Sequence, residues 1–319
     1  MIHLLFTGGT ISMHRDQAAG GNVPAHGGEA LVGFTRGLDR ISSYRVENWA
    51  LLPACHLEPD RLWALREHIL RLADSGEVEG IVVAHGTDTL EETAYLLDRT
   101  LGREVPVAIT GAMRTSSDEG WDGPRNLLDA AAVAACAESR GRGVMVVFHG
   151  KVFAGHTAVK THATDPDAFS APHSAPLGRV EKGRVIYDAG KRVSGAAGRS
   201  QLQPHSLYAR VALISVVVGD DGRMLDLARP EHDGVVIEAF GSGNLPPGAV
   251  AAIGRWIEDG KPVVLATRCH RGVVTPTYAF EGGGARTVAM GAIPAGPRAA
   301  SQAWMELMIA LSAGAPYGS

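Results

Sequence analysis

The sequence predicts an α/β protein: a larger N-terminal domain built on a doubly wound, mostly parallel sheet, and a smaller C-terminal α/β domain. Three observations carry this prediction. Short apolar runs alternate with amphipathic segments along most of the chain, the pattern of a parallel sheet with helices on both faces. At 319 residues the chain exceeds the size at which one core usually keeps growing. One Gly-, Ser- and Arg-rich stretch without periodicity, residues 188–206, interrupts the alternation and reads as the linker between domains 1–187 and 207–319.

In chain order, "IHLLFT" (2–7) is a buried-strand run. "AAGGNVPAHGGEALVG" (18–33) is of low complexity and reads as a mobile loop. "RLWALREHILRLADSG" (61–76) spaces Leu62, Leu65, Ile69 and Leu72 at helical intervals and ends in Gly. "GIVVAHG" is a strand and "TLEETAYLLDRTLG" the helix after it. "VPVAITG" (105–111) is a strand, "PRNLLDAAAVAACAES" (124–139) a helix with Pro at its start, and "GVMVVFHG" (143–150) a strand. Beyond the linker, "ARVALISVVVG" (209–219), "DGVVIEAFGSGN" and "KPVVLATRC" read as strands. "GAVAAIGRWIEDG" and "ASQAWMELMIALSAG" read as helices.

Composition excludes several function classes. Charged residues make up 20% of the chain, the net charge is −4, and no basic stripe with interleaved aromatics marks a nucleic-acid surface. No apolar stretch is long enough for a membrane span. "MIHLLFTGGTIS" lacks a basic n-region, so no signal peptide is expected. Cys55, Cys136 and Cys269 are odd in number and far apart, as free thiols of a cytoplasmic protein would be. Only five lysines occur, Lys151, Lys160, Lys182, Lys191 and Lys261. Where Arg is so dominant, a retained Lys marks a place for an amine able to titrate.

In an open parallel sheet, ligands sit outside the carboxyl ends of the strands. These exits read "TGGT" (7–10), "HGTDT" (85–89), "TGAM" (110–113), "HGK" (149–151) and, in the second domain, "GSGN" (241–244). Glycine there lets backbone approach a ligand, and hydroxyls plus one carboxylate make the crevice polar. Neither G-x-G-x-x-G nor a P-loop is present, and no G-x-S-x-G elbow supports a serine triad. His149, His156 and His162 match no metal motif. A threonine hydroxyl becomes a nucleophile when a base activates it. Thr10 follows Gly8-Gly9, and Thr87 and Asp88 stand at another exit, where helix capping is the competing use. A desolvated lysine amine can accept a proton near neutral pH. Lys160 in "VKTHATD" is the candidate base, against a surface lysine on a hairpin.

"TGGTIS", "HGTDTLEETAYLLD", "ITGAMR" and "VKTHATD" resemble, in order and spacing, signature segments of the bacterial L-asparaginase/glutaminase family. "SSDEGWDGPRNLLDA" and "GSGNLP" resemble further segments, so the likeness runs along nearly the whole chain. The resemblance implies two-step hydrolysis of L-asparagine through an acyl-enzyme on Thr10, releasing ammonia without metal or cofactor. It implies a second group of Thr87, Asp88 and Lys160, with Asp88 also gripping the substrate's ammonium. It places the Ala112 carbonyl against the scissile amide, and Ala54 and Cys55 at the substrate carboxylate. A homodimer or homotetramer is implied, in which Asn244 completes a neighbouring subunit's site. Two departures stand out. Residues 11–33 contain no Tyr to activate the nucleophile, leaving His14 or His26 as substitutes, and Ala54 replaces the family's Ser. The alternatives are a different amide (glutamine, D-asparagine or an N-substituted asparagine) or a non-catalytic amino-acid-binding relative.

Overall fold

The computed structural model describes residues 1–102, 104–188 and 202–318. Residues 189–201 of the expected linker lie outside the described residues. The chain forms two compact units that divide between Gln201 and Leu202.

The first unit opens with β1 (Ile2–Gly8), a hairpin of β2 (Met13–Asp16) and β3 (Gly21–Pro24), and α1 (Gly28–Phe34). There follow β4 (Tyr44–Leu52), α2 (Pro59–Asp74), β5 (Gly80–Ala84), α3 (Leu90–Thr100), β6 (Val107–Thr110) and α4 (Gly123–Ala135). Next come β7 (Val144–Phe148), β8 (Lys151–Ala154), the short pair β9 (Val159–Lys160) and β10 (Phe169–Ser170), and the hairpin β11 (Gly178–Glu181) and β12 (Arg184–Tyr187). The main sheet runs β12-β11-β8-β7-β6-β5-β1-β4. It is parallel from β4 to β7 and antiparallel from β7 to β12.

Strict alternation builds two cores from one sheet. Leu4, Phe6, Val82, Ala84, Ala108, Met145 and Val147 face α1 and α4, meeting Leu31, Leu127, Ala130 and Ala131. Leu5, Ile81, Val83, Val107, Ile109, Val144 and Val146 face α2 and α3, meeting Leu65, Ile69, Leu90, Ala94 and Leu97. Because both faces are covered, these strands read as unbroken apolar runs.

The second unit contains β13 (Val211–Ser215), α5 (Arg223–Ala228), β14 (Gly234–Ala239), α6 (Pro247–Glu258), β15 (Val263–Thr267), α7 (Gly284–Ala289), β16 (Ile293–Pro294) and α8 (Ala300–Ser312). Its sheet, β13-β14-β15-β16, is parallel throughout. Trp256, Ile253 and Ala249 of α6 pack on Val235, Ile237 and Leu265. No described helix is long and apolar enough to cross a membrane.

Two expectations need correction. Residues 18–33 are not a loop, since they contain β3 and all but the last residue of α1. Asp16 Oδ1 accepts the Ala18 and Ala19 N–H groups and shapes the hairpin turn. Gly28, where a Cβ would stand 2.4 Å from the Phe6 ring, lets α1 lie directly on the core. At the 149–151 exit, His149 (φ 49) and Gly150 (φ 74) form the turn of the β7–β8 hairpin, with left-handed backbone at both central positions. Finally, Thr87 and Asp88 do not cap α3. Thr89 holds the N-cap position without a side-chain cap bond.

The tightest helix–sheet approach gives a test. A Cβ on Gly80 would stand 2.0 Å from the Ala134 carbonyl oxygen. Gly80→Ala should therefore cost about 1–3 kcal/mol in urea denaturation, as overpacking does. Gly33→Ala, at an exposed helical position with open space around its Cβ, should be neutral or stabilising by about 0.5 kcal/mol.

Candidate active site

Parallel registry sets the site's frame. Phe6 pairs with Ala84 and Ala84 with Thr110, so the ends of β1, β5 and β6 are level. Beyond them the backbones close to distances only glycine permits. A Cβ on Gly9 (φ 84) would stand 2.1 Å from Gly86 Cα. One on Gly86 would meet Ala54 Cβ at 2.6 Å, and one on Gly111 would meet the His85 carbonyl oxygen at 2.4 Å. Thr10 follows at once, opening a short 3₁₀ turn to Ser12. Its hydroxyl is half-buried and makes no hydrogen bond to any described residue. Ala54 is buried against these exits, and its carbonyl accepts the Thr89 hydroxyl at 3.2 Å; Cys55 is exposed.

Lys160 reaches the same exits from the β9–β10 pair. Its Nζ donates to Thr87 Oγ1 at 2.9 Å and to Asp88 Oδ1 at 2.8 Å. Its side chain is 17% exposed, so it is no free surface lysine, whereas that of Asp88 is 65% exposed. The backbone N–H of Lys160 donates to Glu91 Oε2 at 2.6 Å, tying β9 to the start of α3. An open cavity is lined by Asp88, Lys160, Thr161, His162 and Ala163. Two adjacent residues and a third 72 positions away thus form one hydrogen-bonded group, with a carboxylate facing solvent where an ammonium can reach it.

Two buried networks, not anticipated from the sequence, stand behind this group. His85 is fully buried, and burial pushes its pKa down to about 4 against its bond to the Gly86 carbonyl. The neutral ring donates from Nδ1 to Gly86 O (2.7 Å), leaving Nε2 to accept from Thr93 Oγ1 (3.1 Å). The ring thereby holds the exit at residues 85–86 against α3. In the second network, Asn126 Nδ2 donates to Gly111 O (3.0 Å) and Asn126 Oδ1 accepts the His149 N–H (3.1 Å). Asp122 accepts the N–H groups of Met113 and Arg114, and these bonds bracket Ala112, itself fully buried. The only sequence signal was the polar first turn of α4, which capping explains equally well.

His14 and His26 have other partners than Thr10. Ser116 Oγ donates to the Met13 carbonyl (3.1 Å) and so accepts from His26 Nε2 (2.8 Å). His14 Nδ1 meets Ser117 Oγ at 2.8 Å, and the Arg15 N–H donates to the same hydroxyl. Both rings brace the β2–β3 hairpin against residues 116–117. His156 pairs with Asp98, and His162 Nδ1 accepts the N–H groups of Thr164 and Asp165. Asn244, in the second unit, follows β14. It exchanges backbone bonds with Phe240, and its Oδ1 accepts the Gly284 N–H at the start of α7.

Two outcomes follow. Asn126→Ala strands the Gly111 carbonyl and the His149 N–H, and should lower the stability of the folded chain by about 1–3 kcal/mol in denaturant titration. His85 gives a pH dependence: unfolded, it takes a proton near its ordinary value of 6.5, while folded it resists until about 4. Stability conferred by the neutral ring is therefore present above pH 6.5 and lost progressively as pH falls toward 4. Relative to His85→Gln, the urea midpoint of the unmodified chain should drop between pH 7 and pH 5.

Residues 1–192 match the asparaginase N-terminal domain and residues 210–317 the glutaminase/asparaginase C-terminal domain. The chain is 40% identical over 315 residues to the probable L-asparaginase of Deinococcus radiodurans, covering 98% of this chain and 93% of that one. It is 35% identical to the glutaminase-asparaginase of Pseudomonas aeruginosa, over 84% of this chain and 75% of that one. The crystal structure of a probable cytoplasmic L-asparaginase from Campylobacter jejuni superposes with a TM-score of 0.83 at 26% identity, covering 98% and 94% of the two chains. A fold with this crevice, and similarity over both domains, lead to one conclusion: the chain belongs to the asparaginase family and is an asparaginase-like amidohydrolase.

Proposed function

We propose that the protein hydrolyses L-asparagine to L-aspartate and ammonia, with Thr10 as nucleophile. The observation that carries this reading is the bonding of one lysine to both Thr87 and Asp88, beside the glycine-packed exit that presents Thr10. Thr10 Oγ attacks the side-chain amide carbon, and the proton it gives up is the one delivered to the departing nitrogen. The tetrahedral intermediate expels ammonia, which takes a proton as the C–N bond breaks, leaving an aspartyl ester on Thr10. Lys160 in its amine form accepts a proton through Thr87 as water attacks the ester, and aspartate leaves with the Thr10 hydroxyl restored. Asp88 Oδ2, which has no partner among the described residues, receives the substrate ammonium. The Ala112 carbonyl is set toward the scissile amide by the Asn126 and Asp122 bonds, and no metal or cofactor enters. Backbone N–H groups around Ala54 and Cys55 serve the substrate carboxylate in place of a hydroxyl.

Ala54 also supports a second reading, the same machinery on glutamine, D-asparagine or an N-substituted asparagine. A polar ligand atom left without its partner loses affinity steeply, so loss of the hydroxyl changes discrimination more than chemistry.

A homodimer or homotetramer fits the second unit. Among the described residues, β13 pairs on one edge only. Leu213, Val217, Val218, Met224 and Leu227, within one short run, are exposed large apolar side chains such as a second copy would cover. Asn244 would then contribute to a neighbouring site. Cys55 and Cys269 are exposed free thiols, in keeping with a cytoplasmic location.

Ammonia release with L-asparagine should be saturable and should fall on the order of 10³-fold or more in Thr10→Ala, as loss of a nucleophile does. Near-full activity in that variant would reject the nucleophile. In a panel with glutamine, D-asparagine and N-substituted asparagine, L-asparagine should have the largest kcat/KM. A larger value for another amide would select the second reading.

A further inference from the structure

Glu92 belongs to no part of the scheme above, yet it lies against it. It stands in the first turn of α3, one residue beyond the Glu91 that binds the Lys160 backbone and four beyond Asp88. Its Oε2 is buried and has no hydrogen-bond partner among the described residues. A buried, unpartnered oxygen is costly in a carboxylate and far less so in a carboxylic acid. The charged groups acting on it are Glu91 on its own helix, Asp88 on the exit before the helix, and Lys160 on β9.

We propose that Glu92 is a positioning residue of the Thr87–Asp88–Lys160 group, a carboxyl with a buried, unpartnered oxygen one helical turn from Asp88 whose charge acts on the Lys160 ammonium. Burial pushes Glu92 up to about 7, Glu91 and Asp88 push the same way, and Lys160 opposes them. The coupling is mutual. An anion at 92 favours the ammonium at 160, and a neutral acid there leaves Asp88 as the bonded counter-charge. The proton that Glu92 loses goes to solvent, and no bond to substrate is involved. Glu92 thus acts on the charge of Lys160 without touching substrate. This inference rests on the proposed role of Lys160.

The experiment compares pH profiles of kcat/KM for the unmodified enzyme, Glu92→Gln and Lys160→Met, with urea midpoints from pH 5 to 8. The alkaline-rising limb of Glu92→Gln should move to lower pH, on the order of one pH unit for a nearby charge removed. Raised from 4.5 to about 7, Glu92 confers stability that is present below pH 4.5 and lost as pH rises through 7. The unmodified chain should therefore lose stability over that window relative to Glu92→Gln. Glu92→Leu replaces the Gln variant if the latter does not fold. Superimposable profiles and midpoints, with Lys160→Met inactive, overturn the role of Glu92 and leave that of Lys160 standing. Full activity in Lys160→Met overturns the underlying reading, and this inference with it.

Discussion

The approach of bare backbone at the carboxyl ends of β1, β5 and β6 is the constraint on which the rest of the site depends. Gly9 lies on Gly86, Gly86 on Ala54, and Gly111 on the His85 carbonyl, each at a distance that excludes a Cβ. Close packing of this sort transmits displacement, because neither partner can yield into space. Thr10 leaves directly from Gly9 and Thr87 directly from Gly86, so their placement is inherited from the contact and not from long side chains. The left-handed backbone at Gly8 (φ 104) and Gly9 (φ 84) turns the chain out of the sheet at that point.

Charge around the crevice is arranged by burial. His85 beneath the exit is kept neutral, its ring used for two hydrogen bonds. Glu92 beside the exit is pushed toward its acid form. The ion pair close to the threonines is then Lys160 with the exposed Asp88. Such a partly exposed pair contributes little to stability; a lysine bonded to a hydroxyl and a carboxylate can exchange a proton with either.

Much of the fold was legible because the central strands are buried on both faces and read as apolar runs, while α2 and α4 carry helical spacing. β4 was not, because "YRVENWALL" lies at the sheet edge with half-buried side chains and no strong pattern. Residues 18–33 looked structureless because their order comes from outside the segment: the Gly28 N–H bonds Asn48, and Leu31 sits on the core. Within the site, Thr10, Thr87 and Asp88 could be found from glycine-rich strand exits alone. Lys160 could not be joined to them by spacing, since 72 residues separate it from Asp88; family resemblance supplied that link. His85 and Asn126 escaped both routes, since a buried histidine and a first-turn asparagine look the same whether they support a core or a catalytic loop.

The most direct test of the central claim is chemical: rapid acid quench during turnover of L-asparagine, followed by peptide mapping by mass spectrometry. The account predicts an aspartyl group on the peptide that begins the chain, localised to Thr10. An aspartyl group on Thr87 instead, or on any other residue, would contradict it.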